Sequence, residues 1–322
     1  MKKATGHQGE NIRPALERLS MAKAKNITKE VKEVALKFGV HLVGVTSVDR
    51  LKDAPKGFHA TDILPEAKSV VVMSVGLPQG VSDCWNESIW AYLYYGYAIP
   101  NKKLGHASFN LATWLQHNGH KSFPVVPTTY MKDGDVIDPM GEFSHRHAAF
   151  ASGLGQFGLN NLFMTPQFGT HNRFVSVLTS ARLTPDPMYK GPDLCDRCEK
   201  CIKACPTGAL DAKNTRKVTI ANKTAEYAGL DKMACSYCLI GLSKEAGGLI
   251  DIKTPKKRRK WNKWDIALGK VRHFLKDPVL SSVQAEYQHV IDWGDFCGLC
   301  MHSCDRPIKK KKWDFNLLVK YP

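Results

Sequence analysis

Two hydrophobic periods alternate along the first ~185 residues, as they do where helices and strands interleave. His41-Leu-Val-Gly-Val-Thr46 and Ala67 to Leu77 are short β-branched runs that predict strands, the second closed by Pro78. Lys29 to Phe38 predicts a helix, with Thr28 as its cap and Gly39 as its stop. Leu104 to His117 has helical spacing. Leu104, Phe109, Leu111, Ala112 and Leu115 form its apolar face, and Gly119 ends it. Phe123-Pro-Val-Val-Pro127 reads as extended. Ser144 to Ser152 reads as an Ala-rich helix closed by Gly153. Leu162 to Thr165 and Phe174 to Thr179 read as strands. The alternation predicts a domain of the α/β kind. Residues 1–27 are polar without clear periodicity and are expected to form a loosely held arm. A Pro-rich link, Thr184-Pro-Asp-Pro187, closes the region.

The chain has 322 residues, 43% of them hydrophobic, enough for one large domain or two ordinary ones. No apolar stretch reaches the ~18 residues that span a bilayer. The N-terminus is basic but has no apolar segment behind it, so the expected location is cytoplasmic. Cytosolic thiols stay reduced and suit metal ligation better than disulfides. The net charge is +16. Lys256-Lys-Arg-Arg-Lys260 with Trp261 and Trp264, and Lys309 to Lys312 with Trp313, carry much of it. Basic residues interleaved with aromatics hold phosphates and stack bases. No base-reading motif accompanies the charge, so the ordinary reading is a solvated face, or a dock for an acidic ferredoxin or flavodoxin that donates electrons.

Ten cysteines narrow the chemistry. Cys195-x2-Cys198-x2-Cys201-x3-Cys205-Pro206 has the spacing of a ferredoxin-type 4Fe–4S site, and Cys297-x2-Cys300-x3-Cys304 forms a second, shorter run. Zinc usually takes two separated pairs instead. In two-cluster ferredoxins the fourth Cys of such a run ligates the other cube. Applied here, Cys195, Cys198 and Cys201 share a cluster with Cys304, and Cys205 joins Cys297 and Cys300. The eighth ligand is then Cys235 or Cys238. Cys84 is left over as a structural thiol.

Gly153-Leu-Gly155-Gln-Phe-Gly158 fits G-x-G-x-x-G, but a helix precedes it and no acid follows at the required distance. That excludes the Rossmann reading.

The segment Ala148 to Asn161, then Thr165-Pro-Gln-Phe-Gly169, Arg173 to Thr179, and the Cys run with Pro206-Thr-Gly-Ala209 resemble the reductive dehalogenase and epoxyqueuosine reductase superfamily. The likeness runs from about residue 28 to 307. It implies an α+β protein: a nitroreductase-like α/β domain over 28–190, then a ferredoxin-like domain with two 4Fe–4S clusters over 191–308. The latter contains a helical insert at 239–296, and a basic tail follows at 309–322. It further implies base-off cobalamin in the first domain, reduced by the clusters, with oxygen-sensitive chemistry suited to an anaerobic setting. The cofactor would lie against Gly153, Leu154, Gly155, Gly158, Asn160, Thr165 and Phe168. The family's upstream cysteine best matches Cys235.

The chain also departs from the family. Asp138-Pro139 sits close to the catalytic Asp of epoxyqueuosine reductases, in a different local motif. Their helical-repeat extension has no counterpart before Pro322, and the twin-Arg leader of respiratory dehalogenases is missing.

Reductive cleavage of a carbon–heteroatom bond needs a proton donor and a cation for the leaving group. Tyr130, Asp138, Glu142 and His145 precede the glycine loop as candidates, and the resemblance gives Arg173 a cavity role. Ordinary roles compete: a core-edge tyrosine, a capping acid, an ion-paired arginine, glycines that merely turn the chain. His145 and His147 are also candidates to touch phosphate or a corrin amide. The expected function is a cobalamin-dependent oxidoreductase acting on a small organic molecule. The alternatives are epoxyqueuosine reduction in tRNA, and an electron carrier or activator for a corrinoid protein.

Overall fold

The computed structural model describes residues 12–84, 91–128, 140–232, 234–235 and 297–304. A four-stranded sheet organises the N-terminal part, in the order β1 (Leu42–Ser47), β2 (Ser69–Gly76), β6 (Asn172–Thr179), β3 (Ser122–Pro124). Every neighbouring pair is antiparallel. β2 is buried along nearly its whole length, which is why its sequence is apolar without alternation.

Each face of the sheet has its own core. Val71, Met73, Val75, Val175 and Val177 pack against α1 (Ile12–Lys37) and α4 (Ile99–His117) through Val31, Ala35, Leu104, Leu111 and Leu115. Val70, Val72, Phe174 and Leu178 pack against α5 (His145–Ala151) and the aromatics Phe150, Phe157 and Phe163. The alanines of α5 let it lie close to the strands: Ala148, Ala149 and Ala151 are fully buried.

Three sequence expectations change here. The first helix starts at Ile12, not Lys29, so part of the expected arm is helical. Thr28 lies inside it and is not a cap. Its Oγ1 donates to the Ala24 carbonyl (2.5 Å) and accepts the Thr184 N–H (2.8 Å), tying the helix to the Pro-rich link. Asp186 in that link bonds the Val45 N–H (2.8 Å) and pairs with Lys32 (2.5 Å). Phe109, placed on the apolar face of α4, is 63% exposed; the buried stripe is Leu104, Leu111, Ala112 and Leu115.

Several elements were not expected from the sequence, two of them sizeable. One is a π-helix, Ala91–Ala98, rich in tyrosine. The other is a hairpin of β7 (Leu210–Ile220) and β8 (Lys223–Leu230), turned by Ala221 and Asn222 at φ 48° and 66°. The hairpin returns to the sheet domain, where Ile220, Ala225 and Tyr227 join the α5 core and Tyr227 meets Phe157 at 5.0 Å. The remaining short elements are α2 (Ala60–Ile63), α3 (Gln79–Asp83), β4 (Gln156–Phe157), β5 (Phe163–Met164), α6 (Lys200–Lys203) and α7 (Leu299–His302). No helix of the described residues is long and apolar enough to cross a membrane.

Candidate metal centre

Cys201 and Cys300 each lie among other thiols. The Cys201 thiol is pushed up to about 11, first by burial and then by Cys304, Cys195 and Cys198 beside it. The Cys300 thiol is pushed well above the ordinary thiol range, first by burial and then by Cys235, Cys297 and Cys205, with Cys201 the weakest neighbour. Four crowded thiols resist deprotonation because each thiolate repels the next. Bound cations reverse that balance. No three His, Cys, Asp or Glu side chains among the described residues meet at one point as a lone ion needs. A cube asks for a different arrangement, because each thiolate meets its own iron. Such crowded thiols suit 4Fe–4S ligation.

Local backbone supports both groups. Arg197 and Glu199, on either side of Cys198, hold left-handed φ values of 54° and 58°, uncommon for non-glycine residues. Cys198 is exposed, whereas Cys201 is buried. The Ala209 N–H points at Cys205 Sγ (3.2 Å) and the Leu159 N–H at Cys195 Sγ (3.4 Å). Such N–H···S bonds tune a cluster's potential.

Leu159 belongs to the glycine loop, and so does the buried Asn160. The Asn160 side chain donates to the Cys300 carbonyl (2.8 Å) and accepts the Leu162 N–H (3.1 Å). Thr170 Oγ1 donates to the Met301 carbonyl (3.4 Å), and Met301 packs with Leu77, Tyr92 and Leu162. The second cysteine group is thus fastened to the sheet domain, while the first has a corner in solvent.

The residues expected to cradle a cofactor are occupied by the protein itself. A Cβ on Gly153 (φ 74°) would fall 2.0 Å from the Pro187 carbonyl, and one on Gly155 would fall 1.9 Å from that of Met164. The close approach these glycines permit is to their own chain. Gly158 lies against Asn160 and Met164. Leu154 packs on the α5 core. Thr165 is fully buried and accepts the Phe168 N–H (3.2 Å), and the Phe168 ring covers Gly76. As a set, these seven residues do not fit a corrin.

Of the candidate catalytic residues, Tyr130 and Asp138 lie outside the described residues, as do Cys238, the 239–296 insert and both basic patches. Glu142 is half-buried before α5. Both ring nitrogens of His145 are engaged, with Ser176 Oγ (2.9 Å) and the Val126 carbonyl (2.8 Å), and burial lowers its pKa to about 4. It is a neutral strut between α5 and the sheet, with neither nitrogen spare for phosphate. His147 bonds Ser144 Oγ (2.5 Å) and lies 5.1 Å from the Phe157 ring. Cys84 is exposed just after α3.

Arg173 has the richest setting. It pairs with Val75 across the sheet and therefore faces α4. Its guanidinium lies 4.2 Å from the Tyr97 ring centroid, and Nε donates to Asn101 Oδ1 (3.0 Å). Among the described residues Asn101 Nδ2 is buried without a partner, and the Tyr97 hydroxyl meets Thr128 Oγ1 (2.8 Å). Sequence reasoning missed Tyr97 and Asn101. The only available signal was the run of tyrosines at 92–97, whose π-helical winding is a common mark of functional segments. It also missed an open groove of about 460 Å³ at the hairpin bulge, lined in part by Asp211, Asn214, Arg216 and Asp231.

Comparison with known proteins adds to this picture. Residues 188–211 match the 4Fe-4S binding domain family. The chain is 26% identical over 216 residues to the epoxyqueuosine reductase of Bacillus subtilis, covering 57% of this chain and 51% of that protein. It is 38% identical over 117 residues to a tetrachloroethene reductive dehalogenase of Desulfitobacterium hafniense, covering 36% and 19%. The chain thus spans about half, or less, of the length of these relatives. Among solved structures, an epoxyqueuosine reductase with an epoxyqueuosine-modified tRNA stem loop superposes with TM-score 0.53 at 19% identity, over 86% of this chain and 80% of that one. A reductive dehalogenase linked to B12-dependent dehalogenation gives 0.51 at 15%, over 100% and 45%. At such identities the structures speak for the fold alone. The relatives carry two names and one architecture, and this chain is similar to the superfamily of epoxyqueuosine reductases and reductive dehalogenases that unites them.

Proposed function

We propose that this protein is an iron–sulfur reductase that passes electrons through two 4Fe–4S clusters into its sheet domain, and that it reduces an epoxide of the epoxyqueuosine type on RNA. The single observation behind the electron path is the grouping of the thiols: one set around Cys201, reaching solvent at Cys198, and one around Cys300, bonded to Asn160 of the sheet domain. Two cubes hold one electron each, the number that reductive cleavage of a carbon–oxygen bond consumes. Cys195, Cys198, Cys201 and Cys304 hold the first cluster; Cys205, Cys235, Cys297 and Cys300 hold the second.

The RNA assignment leans on the epoxyqueuosine reductases among the relatives and on the charge of +16 with its Trp-flanked basic runs. Cobalamin is the acceptor the dehalogenase likeness suggests, but no step is assigned to it because the glycine loop does not cradle it. Arg173, held by Tyr97 and Asn101, is the cation offered to a departing oxygen. The electron donor is an acidic ferredoxin or flavodoxin meeting the Cys198 corner.

The reading is tested by supplying anaerobically reconstituted protein and a low-potential reductant with a tRNA stem loop carrying epoxyqueuosine, and following the nucleoside by mass spectrometry. Conversion that slows steeply with added salt is expected. The competing reading, dehalogenation of a small organohalide, is favoured by the 38% identical stretch. Halide release without nucleoside conversion would establish it instead.

A further inference from the structure

We propose that Arg146 is the fixed counter-charge of the second cluster and raises its potential above that of the first, with Asn160 and Asn161 as the residues that hold this arrangement. The inference rests on the two-cluster reading above.

Arg146 lies on α5, and its Nη1 donates to the Asn161 carbonyl, with Asn161 Oδ1 at 3.4 Å. Asn161 takes a left-handed φ of 61°. The residue before it, Asn160, is only 5% exposed and grips the Cys300 carbonyl at 2.8 Å. One dipeptide therefore holds the guanidinium on one side and the second cysteine run on the other.

The cysteines that Arg146 interacts with electrostatically are Cys235 and Cys300, both of the second group. Its guanidinium is desolvated, which pulls its pKa below the ordinary arginine value, yet arginine stays charged in proteins. The adjoining histidines add no charge at neutral pH. His145 and His147 are both lowered to about 4, mainly by burial, with Arg146 contributing to each. Arg173 is the other cation felt by this group, acting on both His145 and Arg146, and Tyr227 adds a phenol.

Reducing a cube adds a negative charge, which a cation in a low-dielectric setting stabilises. The first cluster, with Cys198 in solvent, has water as its screen. The potential step between the two then drives electrons inward, from the exposed corner toward the sheet domain.

The test is an electron paramagnetic resonance redox titration of the reconstituted, iron-replete protein, with the two midpoints assigned in the Cys304→Ser variant. Arg146→Gln should lower the equilibrium constant for reducing the second cluster about tenfold or more, about 59 mV for a one-electron couple, and leave the first unmoved. Arg146→Lys should recover most of the shift. If Arg146→Gln fails to load iron, Asn160→Asp decides: a carboxylate beside Cys300 should lower the same midpoint, and an unchanged midpoint overturns the proposal. An iron-replete Arg146→Gln protein with both midpoints unmoved, or moved equally, also overturns it. Wild-type protein with a single reducible cluster would instead defeat the two-cluster reading itself.

Discussion

The sheet domain and the cysteine region solve the problem of internal cohesion by different means. The sheet carries an apolar layer on each face, with Val45, Val70, Met73, Leu104, Leu111 and Leu115 essentially without solvent contact. Among the described residues, the cysteine region gathers around Leu159, Leu210 and Ala228, flanked by Cys195, Ile202, Cys205, Leu230 and Cys300. One of those three, Leu159, comes from the glycine loop of the sheet domain. Hydrocarbon holds one region; in the described part of the other, thiols share a small apolar cluster, and bound iron–sulfur clusters would add cohesion. An electron conduit built in this way depends on its cargo.

The largest effect should come from removing that cargo. Cys201→Ser, or chelation of the iron, is expected to abolish electron transfer and unlock the cysteine region, while the sheet keeps its protection in hydrogen exchange. Simultaneous loss of protection in both regions would erase the distinction. Next comes Leu111→Ala, which opens a cavity in the α4 face. It should cost about 2–5 kcal/mol in a denaturant titration yet leave iron content intact.

A smaller effect follows from the buried histidines. His41, His145, His147 and His171 are each lowered to about 4, mainly by burial. The folded state refuses protons that the unfolded chain accepts from about 6.5 downward. The stability they contribute is complete above that value and is lost as the pH falls toward 4. The melting temperature of the sheet domain should therefore fall as the pH is lowered from 7 to 5. A flat profile over that range would show that these rings are not held neutral. The smallest effect is expected of Glu66→Gln. It breaks a solvent-exposed pair with Lys121 and should leave the melting temperature unchanged.

The same contrast explains what the sequence disclosed. Strands β2 and β6 were legible as continuous apolar runs because both their faces are buried, and helix α4 because burial of one face imposes periodicity, so their ends fall within a few residues of expectation. Thr28 misled because a threonine inside a helix looks like a cap until Thr184 is seen to use its hydroxyl. The hairpin was illegible: β7 has only its end residues buried, so no alternating apolar pattern marks it. Cysteine spacing was the clearest signal, since ligand geometry fixes it directly. The glycines were read as a cofactor cradle because no local pattern reveals that Pro187 and Met164, distant or later in the chain, occupy their missing side chains. Tyr97 and Asn101 meet Arg173 only through the fold, over more than 70 residues, and nothing in their own neighbourhoods announced it.

The central claim is that the two cysteine runs exchange ligands. In the proposed crossed arrangement Cys304, at the end of the second run, joins Cys195, Cys198 and Cys201, and Cys205, at the end of the first, joins Cys235, Cys297 and Cys300. The most direct measurement is the resonance spectrum and iron content of dithionite-reduced Cys304→Ser and Cys205→Ser proteins beside the wild type, which should hold about eight irons. The account predicts that Cys304→Ser loses the signal that Cys201→Ser also loses, and that Cys205→Ser loses the one that Cys300→Ser loses. If Cys304→Ser and Cys300→Ser remove the same signal, each run serves its own cluster and the crossed assignment is wrong.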